Sequence, residues 1–153
     1  MDLNSNLVDL IRFAESMLFT PYVYGGNSVR LGLDCSGYIN IILRSVGLVG
    51  MREDLNAQGL YDKFVKLPYS FQSIGSPASG SLLFYGHSTT SISHVSLVAS
   101  PYSVLECGGG GSTTTTKELA DLIGAGVRKC GIHHRTDKVA ALYPQYPWDV
   151  MMR

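Results

Sequence analysis

The sequence predicts an α+β domain in which N-terminal helices pack on a central antiparallel β-sheet. Three observations carry this. Apolar residues recur at helical spacing as far as Phe64. After Gly80 they fall into short runs separated by turn residues. Helices come first and strands follow consecutively, which speaks for antiparallel pairing and against an alternating parallel sheet.

The elements follow in order. Leu7, Leu10, Ile11, Ala14 and Leu18 share one helical face, so a helix is predicted from Asn6 to Leu18, with Asn6 as its cap. Phe19-Thr20-Pro21 ends it, because a proline disfavours helix in the residue before it. Tyr22-Val23-Tyr24 reads as extended and Gly25 to Ser28 as a turn. Asp34 is a good N-cap for a second helix, Cys35 to Ser45, apolar on most sides and therefore central. Gly47 stops it, and Asn56 caps a third helix through Phe64. Strands are predicted at 81–85, 94–99 and 103–107, the last two joined by a turn at Ser100-Pro101. Gly108 to Thr116 is a loop, Lys117 to Ile123 a helical turn, and Val127 to Ile132 a further strand. The tail from Tyr143 carries two prolines and the single Trp148.

At 153 residues, the chain is read as one domain spanning 1–153, long enough for a real core. Twelve basic and twelve acidic residues leave a formal charge of zero, which offers no pull toward nucleic acid or anionic membrane. No apolar stretch is long enough to span a bilayer. Met1 to Phe19 lacks a basic start and a small-residue cleavage site, so no secretory signal is expected. Synthesis in the cytoplasm is the corresponding expectation.

Three cysteines, an odd count, do not make a full disulfide framework. Cys-x-x-Cys, His-x-x-x-His and HExxH spacings are all missing, so neither a structural zinc nor a cofactor is expected. Cys35 differs from the other two cysteines in its setting. It falls in the first turn of a helix, where partial positive charge favours a thiolate, after two glycines that let a substrate backbone approach. A buried structural cysteine fits the same features. His94, read as opening a strand, has the chemistry of a general base for a thiol, but equally that of a half-exposed histidine without a role. Six residues out and six back around Ser100 bring Glu106 beside His94, as an orienting carboxylate or as a solvated strand residue. His87, in a polar loop, and the adjacent His133 and His134 read as surface positions.

Pro21-Tyr22-Val23-Tyr24-Gly25-Gly26 followed by Leu33-Asp34-Cys35-Ser36-Gly37-Tyr38 closely resembles the signature of the NlpC-type cell-wall cysteine peptidases. Gly80 to Gly86 and then Ile92-Ser93-His94-Val95 resemble their second block. The resemblance implies a papain-like fold, Cys35 as nucleophile and His94 as base. It also implies a substrate or oxyanion site at Tyr22, Asp34, Ser36 and Ser93, with the Cys35 N–H as an oxyanion donor. The third polar residue of the family is usually His, Asn or Gln. Glu106 at that position is a departure, as is Ser81 where the family commonly has Asp. The implied substrate is the peptidoglycan stem peptide, cut between D-glutamate and a diamino acid, and the implied place of action is the bacterial cell wall. A chain without a signal resembles phage or prophage tail-associated members, with tail or secretion-machine proteins as partners, or a delivered toxin. The motifs do not separate a peptidase from an amidase or acyltransferase, or from a non-catalytic tail or wall-binding module.

Overall fold

The computed structural model describes residues 4–151. The single-domain reading of 1–153 and the signal reading of Met1 to Phe19 therefore extend at their ends outside the described residues. No described helix is long and apolar enough to cross a membrane.

Helix α1 runs Ser5–Glu15 and buries Leu7, Leu10, Ile11 and Ala14. Its cap is Asn4, whose side chain accepts from the Asn6 N–H, and not Asn6 itself. It also stops three residues short of the predicted Leu18. Ser16 to Leu18 continue only as tight turns, and Phe19 takes a positive φ of 72°. The chain then pairs in single bridges, Pro21 with Gly126 and Tyr22 with Leu33. A small ribbon follows, β1 (Asn27–Ser28) with β2 (Gly32–Leu33).

Helix α2 (Cys35–Arg44) is the central helix. The Asp34 carboxylate accepts from the Gly37 N–H at 2.7 Å and starts it. Tyr38, Ile39, Ile42 and Leu43 are almost wholly buried, each contributing roughly 1.5–3 kcal/mol. Gly47, at φ 76°, ends the segment. Helix α3 (Ala57–Phe64) is capped by Asn56.

The sheet comprises β3 (Leu82–Ser88), β4 (Ser91–Ser100), β5 (Ser103–Gly108), β6 (Gly126–Gly131) and β7 (Lys138–Leu142). Their order is β6-β5-β4-β3-β7, with every neighbour antiparallel. Helix α4 (Lys117–Ile123) lies between β5 and β6, capped by Thr116 and ended by Gly124 in the left-handed region. Helix α5 is Pro147–Met151.

Alternation divides the sheet between two clusters. Leu82, Phe84, Val95, Leu97, Leu105 and Cys107 join the helices in the main core. Leu83, Tyr85, Val98, Val104, Ile132 and Ala141 form a smaller cluster on the opposite face. Strand β4 begins at Ser91, so His94 lies inside the strand and does not open it. His87 is likewise in β3 and not in a loop, although exposed. The fifth strand, β7, precedes the tail and helix α5 lies within it, and neither element was predicted.

Candidate active site

The fold places Cys35 at the first residue of α2, in a cleft of about 290 Å³. Tyr22, Asp34, Ser36, Asn56, Ile92 and Ser93 are among its lining residues. Cys35 is only 9 % exposed. Its Sγ lies 3.9 Å from the Ser93 carbonyl oxygen, to which it donates, and the Val95 N–H points toward the same sulfur. The thiol thus touches the backbone on both sides of His94. Among the described residues, no hydrogen bond joins Sγ directly to the imidazole.

The expectation of a thiol made acidic by the helix start is overturned. Burial pushes the Cys35 thiol up to about 11, and the Asp34 carboxylate adds to the rise. The Val95 N–H and the amides at the helix start pull the other way without prevailing. The resting Cys35 is therefore a neutral thiol at pH 7.

His94 is 6 % exposed. Its Nε2 lies 2.9 Å from Glu106 Oε1. The register differs from the predicted one. Leu97 faces Leu105 and Val98 faces Val104, so the same pairing continued sets Glu106 across from Ser96. A shift of two residues keeps Glu106 on the same face as His94, and the two meet diagonally.

Glu106 is 1 % exposed and does more than hold one imidazole. Its Oε1 also faces His134 Nε2 at 2.8 Å. Its Oε2 accepts from Arg128 Nε at 3.0 Å and Nη2 at 2.9 Å, with Cys130 Sγ at 3.9 Å. Burial alone raises this carboxyl. The bond and charge of His94, the charge of His134 and the bond from Arg128 more than offset it, lowering Glu106 to about 2. It is a fixed anion across the neutral range.

The reading of His134 as a plain surface residue is corrected here. Its backbone is open to solvent, but its side chain is only 17 % exposed and is turned onto Glu106. Local sequence carried no sign of this, because His134 reaches Glu106 through a turn after β6. Arg128 was findable in principle. It faces Glu106 directly across β5 and β6, so a correct pairing of those strands names it.

Glu106, Cys130 and His134 bring one potential metal-ligand atom each within 4.8 Å of one another. The Arg128 guanidinium, bonded to the same carboxylate, opposes a second cation there.

The remaining residues divide by role. Asp34 Oδ1 serves the helix start through the Gly37 N–H and also accepts from the Ser36 hydroxyl at 3.3 Å. Asp34 and Ser36 line the cleft but spend these groups on each other and on the cap. Ser93 offers the thiol its carbonyl. Tyr22 is buried, and burial together with Cys35 and Asp34 pushes its phenol above the ordinary range. Ser81 lies just before β3 and is fully buried, with no hydrogen-bond partner for its hydroxyl among the described residues.

The segment from Gly108 was predicted as a loop, but Gly108 closes β5, and the first three glycines of the 108–111 run pack tightly. A Cβ on Gly108 would come within 2.3 Å of Glu106 Oε2, one on Gly109 within 3.0 Å of Arg128 Nη1, and one on Gly110 within 2.3 Å of the Tyr22 ring. Three consecutive positions thus lack side chains because the site fills that space.

Comparison with known proteins follows the same lines. The sequence profile described as the NlpC/P60 family matches residues 19–125. Among solved structures, an NlpC/P60 family protein from Bacillus cereus superposes with a TM-score of 0.66 at 19 % identity, covering 91 % of this chain and 40 % of that one. The NlpC/p60 domain of the peptidoglycan hydrolase SagA gives 0.65 at 18 % identity, covering 92 % and 98 %. The peptidoglycan hydrolase RipB from Mycobacterium tuberculosis gives 0.64 at 19 %, covering 95 % and 70 %. The chain thus spans less than half of the Bacillus cereus protein and nearly all of the SagA domain. At these identities the likeness is one of fold. No curated protein matches the chain.

Proposed function

Because this chain belongs to the NlpC/P60 family, we propose that it is a cysteine peptidase acting on peptidoglycan stem peptides, with Cys35 as nucleophile and His94 as base. One observation carries the reading. The Cys35 thiol sits in a cleft against the backbone flanking His94, whose far nitrogen is anchored on a buried carboxylate. The two peptidoglycan hydrolases among the similar structures support the substrate class.

The chemistry is acyl transfer in two steps. Cys35 starts as a thiol, so its proton passes to His94 as sulfur attacks the amide carbonyl. Of the first N–H groups of α2, that of Gly37 is held by Asp34, while those of Cys35 and Ser36 have no helical acceptor and are available to stabilise the oxyanion. Collapse of the tetrahedral intermediate breaks the C–N bond, and His94 gives its proton to the leaving amine. Water, deprotonated by His94, then hydrolyses the thioester and returns the thiol. Tyr22 lines the cleft beside this path. The bond between D-glutamate and the diamino acid is the proposed target. The cell wall is the proposed place of action. Phage-tail or secretion-machine partners gain no support from the relatives named here.

The test is digestion of purified peptidoglycan by wild type and by Cys35→Ala, with mass analysis of released peptides. New fragments from wild type alone, ending at D-glutamate, support the proposal. Fragments ending elsewhere move the scissile bond. Release by neither protein, with stem-peptide esters also untouched, turns the reading to a binding module.

A further inference from the structure

We infer that Arg128 and His134 are positioning residues that let a glutamate serve as the third member of the site, by holding Glu106 in place and balancing its charge against His94. The inference rests on the reading of His94 as the base.

A carboxylate in this position brings a difficulty. A buried, unbalanced anion 2.9 Å from His94 Nε2 would favour the imidazolium and spoil the ring as a proton acceptor. The structure answers with two counter-groups arranged by oxygen. Arg128 places Nε and Nη2 on Oε2 alone, which leaves Oε1 to the imidazoles. The strand register makes Arg128 the residue facing Glu106, and the missing side chains of Gly108 and Gly109 make room for the pair.

His134 completes the arrangement. Its Nε2 faces Glu106 Oε1 at 2.8 Å and its Nδ1 faces the Gly131 carbonyl at 3.1 Å. Glu106 is ionised and a carbonyl only accepts, so both ring nitrogens point at acceptors. The doubly protonated ring alone donates to both. The geometry therefore suits a cation at His134, the second positive group on Glu106.

The groups facing this cluster come from every neighbouring element. They are His94 on β4, Arg128 and Cys130 on β6, and Tyr85 on β3, whose ring centroid lies 5.3 Å from that of His94 and 5.9 Å from that of His134. Arg135 stacks 5.0 Å above Tyr85 and is itself paired with Asp137. On the cleft side, Cys35 is a neutral thiol at pH 7. Arg128 is the permanent positive charge among these in contact with Glu106, and His134 is the second imidazole placed on it.

The experiment follows His94 directly. The imidazole signals are titrated by NMR in wild type, Arg128→Gln, Arg128→Lys and His134→Gln, and the acid limb of the rate profile is recorded on a stem-peptide substrate. Arg128→Gln is expected to move the His94 titration and the acid limb upward by roughly one pH unit, with Arg128→Lys largely restoring both. His134→Gln, which keeps an amide donor for Glu106 but loses the charge, is expected to move them in the same direction by less. A His94 titration unchanged in Arg128→Gln overturns the inference, as does a change that Arg128→Lys leaves uncorrected. If Arg128→Gln does not fold, the Arg128→Lys and His134→Gln titrations decide the matter. The titration needs no substrate, so a chain that cleaves nothing yet shows the shift refutes the peptidase reading while the charge balance between Glu106 and His94 is upheld.

Discussion

Glu106 Oε1 lies 2.9 Å from His94 Nε2, although the register of β4 and β5 sets Glu106 two residues from the position facing His94. The contact is diagonal, and the carboxylate is shared with Arg128 and His134. Glu106 is lowered to about 2, so its stabilising effect has a defined window. The carboxyl is depressed in the fold, so its contribution is full above the unfolded value near 4.5. It is lost as pH falls through about 2. The difference corresponds to a contribution on the order of 3 kcal/mol. Thermal melts of wild type and Glu106→Gln should differ most at pH 7 and converge as pH approaches 2. A gap that stays constant down to pH 2 would remove the ionic account.

The neutral resting thiol predicts how Cys35 reacts. Alkylation by iodoacetamide follows the thiolate fraction. With the thiol pushed up to about 11, the rate should rise close to tenfold per pH unit from 6 to 9, without a plateau. His94→Ala should abolish turnover yet leave this slope nearly unchanged, since no hydrogen bond ties the resting sulfur to the ring. A plateau below pH 7 would instead indicate a preformed thiolate–imidazolium pair.

Asp34 joins the helix start to the chemistry, and two substitutions separate its effects. Asp34→Asn keeps an acceptor for the Gly37 N–H but deletes the charge that raises Cys35. Alkylation at pH 7 should become several-fold faster at nearly unchanged stability. Asp34→Ala loses the cap as well and should cost about 1 kcal/mol in chemical denaturation. Equal alkylation rates in Asp34→Asn and wild type would show that the Asp34 charge does not reach the sulfur.

Much of this site was legible because its signals are local. The Asp34 cap and the apolar run after it define α2, and hence the place of Cys35. The turn at Ser100-Pro101 defines the hairpin. The register within it was not legible, because the turn centres between Pro101 and Tyr102 and not on Ser100, and an irregularity between Val98 and Ser100 then takes back one residue of the difference. Glu106 was still assigned to the correct face only because the shift amounts to two residues. His134 and Arg128 depend on how β6 lies against β5, a long-range fact with no local trace. The same holds for β7, whose Lys-Val-Ala-Ala-Leu is a weak strand former held by pairing with β3 and, through Leu142, with Phe71.

The glycine run supplies the last prediction, with a control built into the chain. A Cβ on Gly110 falls 2.3 Å from Tyr22 Cδ1 and within 2.8 Å of two further ring atoms, so Gly110→Ala must displace the ring or the loop. The ring is buried and cannot swing aside as a flexible surface chain would. The expected cost is about 1–3 kcal/mol of stability. Because Tyr22 lines the cleft with Cys35, kcat/KM on a stem peptide should fall at least tenfold. Gly111 is the neighbouring control. No described residue lies within 4 Å of a Cβ built there, so Gly111→Ala should stay within about 0.5 kcal/mol of wild type and keep its activity. Equal losses in the two variants would mean that loop flexibility matters, and not the space beside Tyr22. A fall in activity confined to Gly110→Ala would tie turnover to the position of that ring.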